Sequence, residues 1–244
     1  MRLALISDIH GNLAALEAVA ADIARRGADR VVVLGDNVSG PLLPSETARY
    51  LMASGWLTLA GNHERQILHP GPGGRAPSDH YAFEQLSDAE LAWLRTLPPT
   101  ARFDDVFLCH GTPGSDLEYF LESVQGDGIR LASADEIESR TGGETAALIA
   151  CGHTHHPRAV RRAGGQLIVN PGSVGLPAFF TDWPTPHAVQ TGSPDARYAI
   201  AERSGDTWSA ESIAVPYDFA PMATLAERRG RPDWAHALST GYMP

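Results

Sequence analysis

The sequence predicts an α/β fold on three observations. Short apolar runs, Leu3 to Ile6, Val31 to Leu34, Leu57 to Ala60, Val106 to Cys109 and Ala147 to Cys151, have the length and composition of strands. Between the first two lies an amphipathic helix whose apolar stripe is Leu13, Leu16, Val19, Ala20 and Ile23. Each run also empties into a turn that sets glycine beside polar residues, as strands do on the ligand-binding side of α/β sheets.

Taken in order, Leu3-Ala4-Leu5-Ile6 leads into Ser7-Asp8-Ile9-His10-Gly11-Asn12. Strand alternation has period two, so Asp8 and His10 are expected on one side as the strand runs out. Gly11 permits a sharp turn, and Asn12 opens a helix that runs to Arg26 and is capped by Gly27. The second strand breaks at Gly35-Asp36-Asn37, Ser45 is expected to cap a helix through Ser54, and the third strand breaks at Gly61-Asn62-His63-Glu64. Residues 69–78, rich in Pro and Gly, are expected to form a surface loop. Ser87-Asp88-Ala89-Glu90 fits a capping box that opens a helix through Thr96.

Two short strands, Thr100 to Phe103 and Val106 to Cys109, flank an Asp104-Asp105 turn, and the second empties into His110-Gly111. Residues 114–146 are expected to be irregularly helical. The run ending at Cys151 meets Gly152-His153-Thr154-His155-His156-Pro157. A hairpin of Ala159 to Arg162 with Gln166 to Val169 precedes Asn170-Pro171-Gly172-Ser173, and a Pro-rich loop follows over 176–194. Two late strands, Tyr198 to Arg203 and Trp208 to Val215, come before short C-terminal helices. With no repeat and no linker, residues 1–244 read as a single domain, with 215–244 as a helical extension packed on it.

The formal charge is −10, and all 19 basic residues are arginine. The absence of lysine excludes lysine-based covalent catalysis. The acidic balance argues against a sequence-independent grip on long nucleic acids, which needs many phosphate contacts. The two cysteines, Cys109 and Cys151, end apolar runs and read as small buried side chains in a reducing compartment. No signal peptide or membrane-length apolar run is visible, so the expected location is the cytoplasm. A homo-oligomer stays open.

Asp8-x-His10, Asp36, Asn62-His63, His110 and His153-x-His155 all lie at strand ends near glycines, so groups scattered in sequence are expected to converge. Two carboxylates, four imidazoles and a carboxamide, with His63 in addition, exceed the needs of one metal ion and suit two in mixed nitrogen and oxygen shells. A shared carboxylate would hold such ions ~3.5–4 Å apart, the spacing at which a bridging hydroxide attacks phosphorus in line.

The motifs D-x-H, G-D, G-N-H-E, H-G and G-H-T-H, in this order, resemble those of the calcineurin-like metallophosphoesterase family over roughly residues 1–176. Asn170-Pro171-Gly172-Ser173-Val174-Gly175 is similar to the motif after the last ligand in its small bacterial phosphodiesterase branch. The resemblance implies a four-layer α-β-β-α sandwich, with two mixed β-sheets face to face and helices outside. It implies that Asp8, His10, Asp36 and His155 hold one metal. Asp36, Asn62, His110 and His153 would hold the other, with Asp36 bridging. His63 would lie close to both metals without ligating either, as the catalytic residue. Glu64 stands where many members have Asp.

The expected function is that of a binuclear metal-dependent phosphoesterase that hydrolyses a small phosphodiester by attack of a metal-bridging hydroxide. His63 would protonate the leaving oxygen or stabilise its charge. Manganese, iron, zinc or nickel suit an imidazole-rich donor set better than magnesium. Asn37 is a candidate for facing the substrate, and His187 for reaching the site mouth from the Pro-rich loop. Arg65 is read either as a ligand for a phosphate oxygen or as a partner in a surface ion pair. One alternative is a phosphomonoesterase or dinucleotide polyphosphate hydrolase on the same scaffold, a choice that rests with loops 65–80, 112–130 and 176–197. Another is a catalytically inactive binding module of the same fold, against which the presence of His63 and all seven proposed ligands counts.

Overall fold

Alternation along the first strand sets up the layers. In a computed structural model, which describes residues 1–244, Leu3 and Leu5 face one apolar core while Ala4 and Ile6 face another. The chain runs β1 (Arg2–Ile6), α1 (Leu13–Arg26), β2 (Arg30–Val33), α2 (Pro44–Ser54), β3 (Leu57–Thr58), α3 (Asn62–Leu68), α4 (Pro77–Gln85) and α5 (Asp88–Leu94). Next come β4 (Ala101–Phe103), β5 (Val106–Leu108), β6 (Glu122–Gln125), β7 (Gly128–Leu131), α6 (Ala134–Thr141), β8 (Leu148–Ala150), β9 (Arg158–Arg161) and β10 (Leu167–Asn170). It closes with β11 (Ala178–Thr181), β12 (His187–Gln190), β13 (Ala196–Ser204), β14 (Thr207–Val215), α7 (Ala220–Arg228) and α8 (Pro232–Thr240).

Two five-stranded mixed sheets result, ordered β14-β13-β1-β2-β3 and β4-β5-β8-β10-β9. The core between them joins Leu3, Leu5, Val32 and Leu34 of the first sheet to Val106, Leu108, Leu148 and Val169 of the second, with Trp208 closing one end. The far side of the first sheet packs on α1 through Leu16, Val19 and Ile23. Behind the second sheet, Ile137 of α6 meets Ile149 and Ile168. This is the four-layer α-β-β-α sandwich expected for a metallophosphoesterase. The parallel strands β1, β2 and β3, and likewise β5, β8 and β10, run the same way within each sheet. Their C-terminal ends therefore gather the loops that carry the polar motifs.

Four expectations are corrected. Residues 114–146 are not mainly helical: β6 and β7 form a hairpin around Gly126, and helix is confined to α6. The glycine, at φ +64°, supplies the turn that an amphipathic reading overlooked. Helix α4 starts at Pro77, directly after the Pro/Gly-rich loop, because proline is preorganised for the first helical position. Pro44 does the same for α2, and Ser45, instead of capping, hydrogen-bonds to Glu90 (2.8 Å). The Pro-rich segment after Leu176 also contains an antiparallel hairpin, β11 with β12. The Ser87 capping box forms as expected, with Glu90 reaching back to the Ser87 amide.

Helices α7 and α8 pack Met222, Ala226, Trp234 and Leu238 onto Leu42, Leu176 and Ala178, next to the loops that follow β2 and β10. No helix is long and apolar enough to cross a membrane.

Trp208 is 1% exposed in the inter-sheet core, and its indole N–H donates to Asp105 (3.1 Å). Trp208→Ala is expected to cost about 3–5 kcal/mol, because it leaves a cavity and strands the hydrogen bond. Urea denaturation measures this, and a loss below about 1 kcal/mol would show that the sheets do not share this core.

Candidate metal centre

Strand β1 stops at Ile6, so Asp8 and His10 lie past it in the loop, and alternation is not what aligns them. Their backbones are left-handed, with φ +54° and +52°. Asp36 (φ +54°), His153 (φ +69°) and His155 (φ +56°) share this conformation. Of all non-glycine residues only Asp104 adopts it elsewhere, so positive φ concentrates on the predicted ligands. The left-handed turn swings each side chain inward over the C-terminal ends of the strands.

Two groups form there. Asp8, His10 and His155 present ligand atoms within 4.8 Å of one another, as do Asp36, His110 and His153. His10 Nδ1 donates to Ser39 O (2.8 Å), and His155 Nδ1 donates to Leu176 O (2.7 Å). A carbonyl only accepts, so each ring carries a proton on Nδ1, which in the neutral tautomer leaves the Nε2 lone pair facing inward; the two Nε2 atoms lie 3.1 Å apart. Asp8 Oδ1, fully buried and without a hydrogen-bond donor, faces the same point, 3.4 Å from His155 Nε2. Lone pairs and an orphaned carboxylate oxygen converging in a buried space repel one another unless a cation lies between them. The donor set therefore fits a divalent ion.

The second group repeats the pattern. His110 Nδ1 donates to Leu34 O (2.8 Å), while its Nε2 meets Asn62 Oδ1 (3.1 Å) and Asp36 Oδ2 (3.1 Å). His153 Nε2 donates to Leu117 O (2.9 Å), which leaves Nδ1 to act as ligand. Burial, reinforced by neighbouring imidazoles, pushes His10 down to about 4 and His153 down to about 3. At His110 burial acts the same way, but Asp36 outweighs it and raises the ring to about 10. A cation held there by Asp36, His110 and His153 would take the place of that proton.

The loops are braced from beneath. The buried Glu64 carboxylate accepts from the amides of Asp36 (2.9 Å), Asn37 (2.8 Å) and Gly61 (2.8 Å), tying the ends of β2 and β3 together. Asn170 donates to Gly152 O (2.7 Å), and Ser173 Oγ donates to Asp8 O (2.7 Å), so the Asn-Pro-Gly-Ser turn holds the loops after β1 and β8. Gly175 completes this contact, because any Cβ there would overlap Ile9 O.

His63 lines the cavity above both groups, with its Nε2 3.9 Å from Asp36 Oδ2. Its Nδ1 donates to Asp79 Oδ1 (2.7 Å), which also accepts from Ser39 Oγ (2.7 Å). Burial disfavours charge on His63, yet Asp36 and then Asp79 outweigh it and raise the ring to about 9. Sequence reasoning missed Asp79. Pro77 could have announced its helix, but no local signal brings that helix beside His63.

Three candidate substrate contacts do not line the cavity. Asn37 is fully buried and donates to Leu59 O (3.0 Å). Arg65 forms a two-pronged pair with Asp116 (2.6 and 2.8 Å), which is its ion-pair reading. His187 is 1% exposed, and its Nε2 accepts from the hydroxyl of Tyr119 (3.0 Å), a residue that does line the cavity.

A Cβ at Gly61 would overlap Asp36 Oδ1 and stand 2.9 Å from His110 Cε1. Gly61→Ala is therefore expected to lower divalent-metal affinity about tenfold or more while costing only ~1–3 kcal/mol of stability. Metal titration beside thermal denaturation checks this, and unchanged metal affinity would contradict it.

Residues 1–189 match the calcineurin-like phosphoesterase superfamily domain. An uncharacterized protein of Methanocaldococcus jannaschii is 24% identical over 262 aligned residues, spanning 95% of this chain and 94% of that one. A crystal structure of a metallophosphoesterase from Sphaerobacter thermophilus superposes with a TM-score of 0.77 at 25% identity, covering 99% of this chain and 100% of that one. The sandwich, the two ligand groups at its strand ends and this match over most of the length agree: the chain belongs to the calcineurin-like phosphoesterase superfamily, whose members are divalent-metal-dependent hydrolases.

Proposed function

We propose that the protein is a binuclear metal-dependent phosphodiesterase acting on a small phosphodiester. The observation that carries this reading is the position of Asp36. Its Oδ2 lies 3.1 Å from His110 Nε2 and 4.0 Å from His10 Nε2, so one carboxylate reaches both groups. Asp8, His10, Asp36 and His155 would hold one ion, and Asp36, Asn62, His110 and His153 the other. Bound there, two divalent ions would polarise the phosphoryl oxygens and render water nucleophilic at neutral pH. The nitrogen-rich donors suit manganese, iron, zinc or nickel.

His63 supplies the proton. Asp79 holds the ring by Nδ1 and leaves Nε2 toward the cavity, where its proton is available to the leaving oxygen. The preference for a diester rests on charge. Arg231 is the one arginine lining the cavity, and Asp233 neutralises it (2.7 Å). A diester carries one negative charge, whereas a monoester or polyphosphate carries more and calls for further cations. The same reading takes 1–244 as one domain, with 215–244 packed on it as an extension. It also makes this a cytoplasmic enzyme, in keeping with two free, buried cysteines.

Reconstituted with Mn²⁺, the protein is expected to hydrolyse diesters at higher kcat/KM than monoesters or dinucleotide polyphosphates. Asp36→Asn should weaken both metal sites and abolish turnover while the apolar core stays intact. A variant with normal metal content and activity would remove Asp36 from the centre, and a monoester preference would overturn the diester reading.

A second prediction separates metal binding from proton delivery. His63→Asn should keep its metals and some activity on nitrophenyl diesters, whose leaving group departs readily as an anion. On alkyl or nucleoside esters it should lose about 10²–10⁴-fold more, because those leaving groups need the proton. The readout is kcat/KM for both substrate types with chemistry rate-limiting. Equal losses would mean that His63 stabilises phosphoryl oxygens instead.

A further inference from the structure

The candidate metal centre floors a cavity of about 820 Å³. Pockets that enclose most of a drug-sized ligand run ~300–1,000 Å³, so there is room for a substantial group beyond the phosphoryl centre. The walls above the floor are largely apolar and aromatic, and aromatic rings begin at the ligands themselves. Phe179 lies edge-on to His155 (4.6 Å between centroids), Tyr119 to His153 (5.2 Å) and Trp234 to His10 (6.0 Å).

Farther out, the β11–β12 hairpin adds Phe180 and Trp183, which are 55% and 51% exposed. They are the protein's exposed Phe and Trp side chains, and both line this cavity. Exposed aromatic surface gathered at one mouth marks a binding surface.

Charge narrows the occupant. Arg231 spends two nitrogens on Asp233 (2.9 and 2.7 Å) and a third on Ser78 Oγ (2.9 Å), with its guanidinium over the Trp234 ring. The outer cavity therefore offers no free cation to a second phosphate or a carboxylate. It offers flat apolar faces with a few neutral polar edges, the Gln66 amide nitrogen and the Ser78 hydroxyl. A planar heteroaromatic ring matches both properties, since its faces stack and its edges take neutral hydrogen bonds. An alkyl chain would leave those edges unused.

We infer that the outer cavity is a subsite for a nucleobase, and that the phosphodiester taken here carries a nucleoside. The inference rests on the floor being the phosphoester site, as proposed above. Trp183 and Phe180 are positioned to hold the base, while the imidazole and carboxylate floor faces the phosphate.

The test is calorimetric binding of AMP, ribose 5-phosphate and hexyl phosphate to Mn²⁺-loaded protein. Stacking on an aromatic side chain is worth roughly 5- to 150-fold in affinity, so AMP is expected to bind at least about tenfold more tightly than ribose 5-phosphate. In Phe180→Ala/Trp183→Ala that ratio should fall toward one, whereas Phe180→Tyr/Trp183→Phe should retain it. Equal binding of AMP and ribose 5-phosphate overturns the inference, as does no AMP binding at millimolar concentration or a ratio that survives the double alanine variant. Hexyl phosphate binding as tightly as AMP also overturns it, in favour of an apolar chain. Base preference without hydrolysis of any phosphoester would refute the hydrolase reading and leave the subsite standing. Diester hydrolysis without base preference would do the reverse.

Discussion

Left-handed backbone at the strand ends is the constraint on which the centre depends. Asp8, His10, Asp36, His153 and His155 all have positive φ, and each such residue costs of order 1–3 kcal/mol. Asp and His tolerate this region better than branched residues do, which suits a site built from carboxylates and imidazoles. The conformation persists because the surroundings over-determine it. Glu64 fastens the amides after β2 and β3, while Asn170 and Ser173 fasten the loops after β1 and β8. Beneath lie strands buried on both faces, whose core residues are inaccessible to water.

The hydrogen bonds to ring Nδ1 extend the same logic to protonation. Ser39 O, Leu176 O and Leu34 O fix the tautomers of His10, His155 and His110, so three Nε2 atoms point inward. Backbone carbonyls thus decide which nitrogen is free to bind a cation. Asp36 then sits where the two sets of donors meet, close to both His10 and His110.

Much of the scaffold was legible because its signals are local. Helix α1 spans the expected Leu13–Arg26 with its Asn12 cap, and the apolar runs became strands within two residues of their expected limits. Asp8 and His10 do lie together, but through loop conformation and not through strand alternation, since β1 ends before them. Short hairpins were harder to read: β6–β7 and β11–β12 hold few residues and take their pairing from tertiary contacts. Least legible were contacts across long separations. Asp79 reaches His63 only because α4 packs on α3, and Trp234 reaches His10 only through the packing of α8. The cavity walls therefore come from segments that carried no motif, while the floor came from those that did.

The central claim is that one carboxylate joins two ligand groups into a binuclear centre. Anomalous diffraction from crystals of the Mn²⁺-loaded protein tests it most directly. The account predicts two peaks ~3.5–4 Å apart with Asp36 between them, one beside Asp8, His10 and His155 and the other beside Asn62, His110 and His153. A single fully occupied peak bound only by Asp8, His10 and His155, with Asp36 turned away, would contradict it.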